Sequence, residues 1–211
     1  MNPRLTRGEY WLLESVVSYG LPIPMLAEPE DELHIALNKP GHGMPQDLLR
    51  ESLVGLFQNK WISAHRLDGP EFYPSMQDID KILLNEKGPY SRMTYYSLTT
   101  LGGAIWEAFA RPDWNYYISV GLDNDEGHAE SINREWLEKY VSLYPKPENG
   151  RADIKVERMK DWEASTWKNF ENAWQATFRF NLSEYTHSGS QQDSLNLQTR
   201  SWMMRRWCRW Q

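Results

Sequence analysis

The first half of the chain carries apolar residues at helical spacing in several segments. Thr6-Arg7-Gly8-Glu9 has the form of a capping box, with a hydroxyl at the N-cap and a carboxylate three residues later. The apolar positions of the helix that follows are Tyr10, Trp11, Leu13, Val16 and Val17. Gly20 and Pro22 end this predicted helix, and residues 21–24 are expected to be an extended connector. For residues 31–37 the pattern leaves helix and strand both open.

Between a loop at residues 39–43 and Pro112, three helices and two strands are predicted. The first helix has Pro45 near its first turn, the second spans residues 76–85, and the third is capped by Thr99 or Thr100. The apolar stripe of the first helix is Leu48, Leu49, Leu53, Leu56 and Phe57, and we place Leu48, Leu53, Leu56 and Phe57 in the core. Residues 61–66 and 93–98 have the composition of strands, and Asp68-Gly69 is predicted to be a turn.

Residues 5–110 resemble a winged-helix module. Tyr96-Ser97-Leu98-Thr99-Thr100-Leu101-Gly102 is similar to the Tyr-x-Leu-Thr-x-x-Gly segment of regulators in the multiple-antibiotic-resistance and phenolic-acid families. In those families the segment leads from the second strand of the wing into the next helix. The resemblance implies that residues 96–98 form a wing strand and that residues 47–60 form the helix in the recognition position.

Two features depart from that family. The helix predicted at residues 76–85 lies inside the wing. The helix in the recognition position carries Asp47 and Glu51 beside Arg50 and Lys60, whereas recognition helices normally present Arg, Lys, Gln, Asn or Ser to base edges. The resemblance therefore predicts the fold more strongly than it predicts DNA binding.

The second half has the pattern of a small α+β domain with an antiparallel sheet. Residues 114–120 have the composition of a strand, and residues 128–144 are predicted to be an amphipathic helix. Residues 154–159 and 174–180 alternate at period two, which is typical of strands with one covered face. Residues 183–199 are polar, rich in Ser and Gln, and predicted to be a loop. The predicted fold class is thus α+β, with a winged-helix domain at 1–111 and an aromatic-rich α+β domain at 112–211.

The distribution of charge disfavours nucleic acid as a partner. The net charge is −6; residues 1–110 hold nine Lys/Arg against fourteen Asp/Glu (−5), and residues 111–211 hold fourteen against fifteen (−1). A DNA-binding face gathers positive charge, because phosphate contacts supply most of the non-specific affinity. In this chain the half that resembles a DNA-binding module is the more acidic one.

Composition also predicts a cytoplasmic protein that does not enter a membrane. The sequence has no run of 18 apolar residues and no apolar signal region near its start. Its one cysteine, Cys208, agrees with a reducing compartment. Eleven tryptophans are open to two interpretations, either core residues or hot spots of a partner-binding surface, and for any single one we favour the core.

Motifs for metal, cofactor or catalytic chemistry are weak, so we expect a non-enzymatic protein without cofactor or metal. None of the five histidines has metal-ligand spacing to another His or to Cys208. Residues 123–128 depart from a calcium loop, since the glycine comes one place early and Arg134 stands where the bidentate glutamate belongs. Gly102-Gly103 lacks the rest of a phosphate loop and is expected to permit close helix packing. Cys208 has cationic neighbours but no nearby histidine.

The C-terminal segment is the candidate partner-binding segment of the second half. Its aromatic and cationic residues are Trp202, Arg205, Arg206, Trp207 and Trp210. Such residues stack on nucleic-acid bases or lie on anionic membranes. The interpretation that we prefer buries the tryptophans and pairs the arginines with the acidic first half.

Two classes of function remain. The first is a protein-interaction module on an acidic winged-helix scaffold, with a protein partner that is expected to be basic. A bacterial neutralising or immunity-type protein fits this profile. The second is a winged-helix transcription regulator, in which the residues near the DNA are Arg50, Lys60, Arg66 and Arg92. The sequence favours the first class and leaves the oligomeric state open.

Overall fold

The computed structural model describes residues 4–29, 41–147 and 154–182. In these ranges the fold is mixed α+β, with five α-helices and antiparallel sheets, as the sequence predicted. The chain divides into two compact units, one formed by residues 1–111 and 165–168 and the other by residues 112–164 and 169–211. No helix in the described ranges is long and apolar enough to cross a bilayer.

Unit 1 combines four α-helices with a three-stranded antiparallel sheet. In chain order its elements are α1 (Arg7–Ser15), β1 (Leu21–Pro22), a 3₁₀ helix (Ile23–Ala27), α2 (Gln46–Gln58), β2 (Ile62–His65), α3 (Met76–Asn85), a 3₁₀ helix (Tyr90–Arg92), β3 (Tyr95–Leu98) and α4 (Thr100–Ala110). The sheet order is β1-β3-β2, with Ala64 opposite Tyr96 and Leu21 on the other side of Tyr96. The strands predicted at residues 61–66 and 93–98 are confirmed as β2 and β3, which pair with each other.

The helix starts of unit 1 follow the capping signals in the sequence. At α1 the Glu9 amide donates to Thr6 Oγ1 (3.2 Å), and the Thr6 amide donates to Glu9 Oε2 (2.8 Å), so the predicted capping box is confirmed. At α4 the Gly102 amide donates to Thr99 Oγ1 at 3.0 Å, which identifies Thr99 as the cap. Each cap satisfies backbone donors that the helix itself leaves unpaired.

The core of unit 1 is formed by side chains from its helices and its sheet, and the strands β2 and β3 are buried on both faces. Its largest fully buried side chains include Trp11, Trp106, Tyr10, Tyr96 and Phe57. The Tyr96 hydroxyl donates to the Leu12 carbonyl at 3.2 Å, and burial raises the pKa of Tyr96 far above its usual value. The predicted core residues Leu53, Leu56 and Phe57 are buried, but Leu48 is 48% exposed, so that assignment was wrong.

Gly102 and Gly103 permit two close approaches within unit 1. A Cβ on Gly102 would lie 1.7 Å from the carbonyl oxygen of Trp61, and a Cβ on Gly103 would lie 1.9 Å from Trp167 Cε3. Trp167 donates its indole N–H to the Val17 carbonyl at 3.0 Å and meets Trp106 edge-on. The close packing expected at this glycine pair is confirmed, and its contacts are with a backbone segment and an indole ring.

Unit 2 is built around a four-stranded antiparallel sheet and one α-helix. Its elements are a 3₁₀ helix (Trp114–Tyr116), β4 (Ser119–Asp123), β5 (Glu126–Ser131), α5 (Arg134–Val141), β6 (Lys155–Met159), β7 (Trp162–Ser165), β8 (Lys168–Phe170) and β9 (Ala173–Arg179). Ser165, the last residue of β7, and Lys168, the first residue of β8, are grouped in unit 1. The large sheet has the order β4-β5-β9-β6, and β7 and β8 form a separate two-stranded sheet.

The alternation along the strands produces one covered and one open face of the large sheet. The α5 helix packs on the covered face, where the buried residues include Ala129, Leu137, Tyr140, Ala176 and Phe178. On the other face lie residues such as His128 and Thr177, which are exposed. The strands predicted from alternation at residues 154–159 and 174–180 are confirmed within one residue.

Two predictions in unit 2 were wrong, and one element was not predicted. Residues 114–116 form a capped 3₁₀ helix rather than a strand, because Asp113 Oδ1 accepts from the Asn115 amide at 3.1 Å. Residues 128–131, predicted to start a helix, belong to β5 (Glu126–Ser131), and the helix begins only at Arg134. The β7–β8 hairpin was not predicted. The second error has a local cause, since Asn124 adopts a left-handed conformation (φ 53°) that closes a two-residue hairpin between β4 and β5.

Of the tryptophans within the described ranges, Trp11, Trp106, Trp162 and Trp167 are buried. Trp61, Trp114, Trp136 and Trp174 are half-buried. In unit 2 an aromatic cluster brings Trp162 into stacked contact with Tyr117 and Phe170. The core interpretation therefore holds for the four buried tryptophans.

Candidate partner-binding surface

Residues 66–94, which connect β2 to β3, form a structured segment that we call the β2–β3 insertion. Its first part returns beside β2, where the Ala64 amide donates to the Phe72 carbonyl (2.9 Å) and the Phe72 amide to the Ala64 carbonyl (2.8 Å). Ser75 then caps α3 in a second capping box, with 2.6 Å between Ser75 Oγ and Asp78 Oδ2. Hydrogen bonds from the Ser75 hydroxyl and amide hold the pKa of Asp78 below its usual value.

The α3 helix is fixed to unit 1 through one apolar face. Ile79, Ile82 and Leu83 are buried on this face, which packs against the 3₁₀ helix Ile23–Ala27 and against α2. Asp80 adds an ion pair with Arg50 of α2, at 3.6 Å. The insertion is therefore an anchored part of unit 1.

Glu86 closes the insertion at its far end. Its carboxylate accepts from the Thr94 amide (2.7 Å), the Thr94 hydroxyl (2.9 Å) and Arg66 (3.4 Å). Thr94 is almost completely buried. Since a buried donor without an acceptor is costly, these bonds tie the end of α3 to the start of β3.

We expect Glu86→Ala to lower the free energy of unfolding by about 2 kcal/mol, because it leaves the buried Thr94 amide and hydroxyl without acceptors. Chemical denaturation measures the loss, and amide exchange at Thr94 should become faster. Glu71→Ala, at an exposed carboxylate of the same insertion, is the control and should change stability by less than about 0.5 kcal/mol. Unchanged exchange at Thr94 in the Glu86 variant would contradict this role.

The insertion carries many of the exposed apolar side chains. Thirteen large apolar side chains are exposed in the described ranges, and six of them fall between residues 67 and 90: Leu67, Phe72, Tyr73, Met76, Leu84 and Tyr90. The most exposed are Leu67 (64%), Tyr90 (59%) and Leu84 (58%). Single exposed apolar residues are ordinary, and several in one ordered segment make that segment our candidate for an interaction surface.

Between α3 and the segment that contains Phe72 lies a groove of about 430 Å³, which we call the insertion groove. Its lining residues are Arg66, Phe72, Asp78, Lys81, Ile82, Asn85, Glu86 and Thr94. Sequence reasoning found the α3 helix but missed this surface. The available signal was the set of apolar residues outside the inward stripe of α3, above all Leu67, Tyr73 and Leu84.

Two of the four basic residues of the DNA-binding alternative have carboxylate partners within unit 1. Arg50 pairs with Asp47 and with Asp80, both at 3.6 Å, and Arg66 pairs with Glu86. Lys60 follows α2 in a left-handed conformation (φ 57°) and is exposed, and Arg92 is exposed in the 3₁₀ helix Tyr90–Arg92. Two of the four cations are thus already neutralised by carboxylates within unit 1.

The structure also describes two other candidates from the sequence, His42 and the acidic stretch at residues 123–128. His42 bonds the Leu26 carbonyl and the Met44 amide, and Asn124-Asp125 forms the exposed turn of the β4–β5 hairpin. In the part of the chain that the structure describes, no group of three or more His, Cys, Asp or Glu side chains is placed to hold a metal ion. Trp202, Arg205, Arg206, Trp207, Cys208 and Trp210 lie outside the described residues, as do residues 31–37 and 183–199.

Comparisons with known proteins identify no relative of this chain. No family model, no curated protein and no solved structure matches it.

Proposed function

We propose that this protein is a non-enzymatic interaction module that binds another protein through the β2–β3 insertion. The observation that carries the proposal is the concentration of exposed apolar side chains between residues 67 and 90. Aromatic residues such as Tyr73 and Tyr90 are enriched at interface hot spots, since they bury large areas at a small cost in conformational entropy.

The anchoring of the insertion supports the same proposal. Phe72 is held by two backbone hydrogen bonds, α3 begins with a capping box, and Glu86 fixes the end of the segment. A surface that is ordered before binding loses less conformational entropy when the partner arrives.

We further propose that unit 1 is a winged-helix variant whose wing has been replaced by this insertion. Three features support this relationship to the winged-helix fold. They are the antiparallel order β1-β3-β2, the position of α2 before β2, and the passage from β3 into α4 through Thr99. The acidic balance supports a neutralising or immunity-type role in the cytoplasm of a bacterial cell.

The alternative function is a DNA-binding regulator. Against it stand the paired state of Arg50 and Arg66 and the presence of Asp47 and Glu51 on α2. A mobility-shift titration of the full chain with duplex DNA at near-physiological salt should give only weak, sequence-independent binding, with Kd of roughly 10⁻⁴ to 10⁻⁶ M. Tight binding to one DNA sequence would favour the regulator.

Site-specific photo-crosslinking in cells tests the protein-binding proposal. A photoreactive phenylalanine analogue replaces Tyr73 or Leu84, and the controls carry it at Tyr116 or Leu122, which are also exposed and apolar but lie in unit 2. We expect both insertion positions to give a product with the same protein, and the control positions to give none with it. Identical products from all four positions, or products with nucleic acid alone, would count against the proposal.

A further inference from the structure

The ring of His42 is held by two hydrogen bonds in the segment of residues 41–44, which leads into α2. The Met44 amide donates to His42 Nδ1 at 3.0 Å. His42 Nε2 lies 2.9 Å from the carbonyl oxygen of Leu26, in the 3₁₀ helix Ile23–Ala27. An amide N–H needs a lone pair on the ring and a carbonyl oxygen needs a proton. The two bonds together therefore require a neutral ring that carries its proton on Nε2.

The local backbone fixes the bond at Nδ1. A side-chain acceptor that binds the amide two residues later has the pattern of an Asx turn, and Gly43 between them adopts the left-handed φ of 62°. The half-buried ring also lies edge-on to Trp11, with 5.3 Å between the ring centres, and Trp11 is completely buried. Nδ1 therefore faces the Met44 amide as long as the ring stays in this position.

Met44 extends this contact to two helices. A Cβ on Gly8 would overlap Met44 Sδ, so the thioether packs directly on α1. On α2 the Ser52 hydroxyl donates to the same sulfur at 3.8 Å. Residues 41–44 thus bridge the starts of α1 and α2, and they form one wall of a cavity of about 650 Å³.

The charged side chains around the ring come from α1 and α2. Arg7 and Glu9 of α1 and Glu51 of α2 line the same cavity, whereas the 3₁₀ helix Ile23–Ala27 contains no titratable residue. Glu9 already accepts from the amide and the hydroxyl of Thr6, and Glu51 is exposed. These charges change the affinity of the ring for a proton, but they do not change what protonation at Nδ1 does to the bond from Met44.

We propose that His42 is a proton-sensitive latch that holds residues 41–44 on unit 1. Protonation places a hydrogen on Nδ1, so the ring opposes an N–H to the N–H of Met44 and the hydrogen bond is lost. An amide that loses its acceptor away from water costs about 1–3 kcal/mol. The segment is therefore released, Met44 leaves its position between α1 and α2, and Trp11 is uncovered.

The direction of the pH dependence follows from the proton balance. The closed segment holds no proton on Nδ1 and the released segment holds one, so release takes up a proton and is favoured as the pH falls. Histidine side chains ordinarily titrate between pH 5 and 8, which places the switch near physiological pH. The latch uses no residue of the β2–β3 insertion, so its test is independent of the proposed function.

NMR on the ¹⁵N-labelled full chain between pH 8 and pH 5 tests the latch. At pH 8 we expect the His42 ring nitrogens to show the tautomer with the proton on Nε2. The protection factor of the Met44 amide, which corrects exchange for its intrinsic pH dependence, should fall about tenfold per pH unit below the titration of the ring. A proton on Nδ1 at pH 8, or a protection factor that is constant down to pH 5, would overturn the inference.

Three variants assign the pH dependence to His42. His42→Asn places an amide oxygen near the position of Nδ1, which accepts from Met44 at every pH, so protection should persist and no longer depend on pH. His42→Ala should give low protection at every pH. His128→Asn, at an exposed histidine of unit 2, should keep the pH dependence of the unmodified chain. A pH dependence that survives in either His42 variant would show that another group controls the segment, and the proposal would be wrong.

Discussion

Gly102→Ala is expected to lower the free energy of unfolding of unit 1 by about 3 kcal/mol, since overpacking of a rigid core has costs of this size. The new Cβ would lie 1.7 Å from the carbonyl oxygen and 2.5 Å from the carbonyl carbon of Trp61. Neither is the end of a flexible side chain, so α4 or the start of β2 has to move. That movement also strains the bond from the Thr99 amide to the Trp61 carbonyl, at 3.1 Å.

Gly55→Ala is the matched control, and its effect should have the opposite sign. Gly55 lies inside α2, and an added Cβ would meet no atom within 4 Å. Alanine is therefore expected to stabilise the helix by about 0.5–1 kcal/mol. Denaturant unfolding followed by circular dichroism measures both changes. Equal changes in the free energy of unfolding at the two glycines would show that the close approach of Gly102 to Trp61 does not cause the loss of stability.

Phe178→Ala is expected to destabilise unit 2 by about 3–5 kcal/mol, because it leaves a cavity in the centre of a small core. The Phe178 ring is 3% exposed and lies 4.8 Å from the Tyr144 ring centre. It also occupies the space beside Gly127, where a Cβ would come within 2.4 Å of the ring. Few atoms can move in to fill the space, since the neighbouring Tyr144 and Phe180 rings pack on each other.

Thr177→Ala is the control for this position. Thr177 is adjacent in β9 but lies on the exposed face of the sheet, so its removal should change stability by less than about 0.5 kcal/mol. Amide exchange of Ala129 and Ala176 reports unit 2 separately from unit 1. If these amides exchange as slowly in the Phe178 variant as in the unmodified protein, the Phe178 ring is not central to the core of unit 2.

Local signals in the sequence were sufficient for elements that depend on local chemistry. The capping box at Thr6, the helix at residues 76–85 and the alternating strands at 155–159 and 173–179 were all predicted from their own residues. Leu48 was misplaced although it lies in an apolar stripe, because it precedes Leu49 by one residue, which is about 100° around the helix. The stripe was wider than the face that α2 buries.

Elements that depend on tertiary context were missed. Residues 128–131 were predicted to start a helix, because they run directly into the apolar positions of α5. Whether a strand forms there depends on Asn124, which closes the hairpin, and on pairing with β9, about fifty residues later in the chain.

The candidate surface could be predicted only in part for a similar reason. The sequence predicted the helix at residues 76–85 and the acidic balance of the first half. It did not reveal that Arg50 pairs with Asp80 or that Arg66 pairs with Glu86, since each pair joins residues at least twenty positions apart. Nor did it show which apolar residues of the insertion stay exposed, because that depends on what α3 packs against.

A calorimetric titration of the crosslinked partner protein, once purified, tests the central claim most directly. The test variant combines Leu67→Ser, Tyr73→Ser and Leu84→Ser, and the control combines Tyr116→Ser and Leu122→Ser. All five side chains are exposed, so both variants should keep the fold. We predict that the insertion variant binds at least about tenfold more weakly than the unmodified chain, while the control binds equally well. Unchanged affinity in the insertion variant would contradict the claim that this protein binds its partner through the β2–β3 insertion.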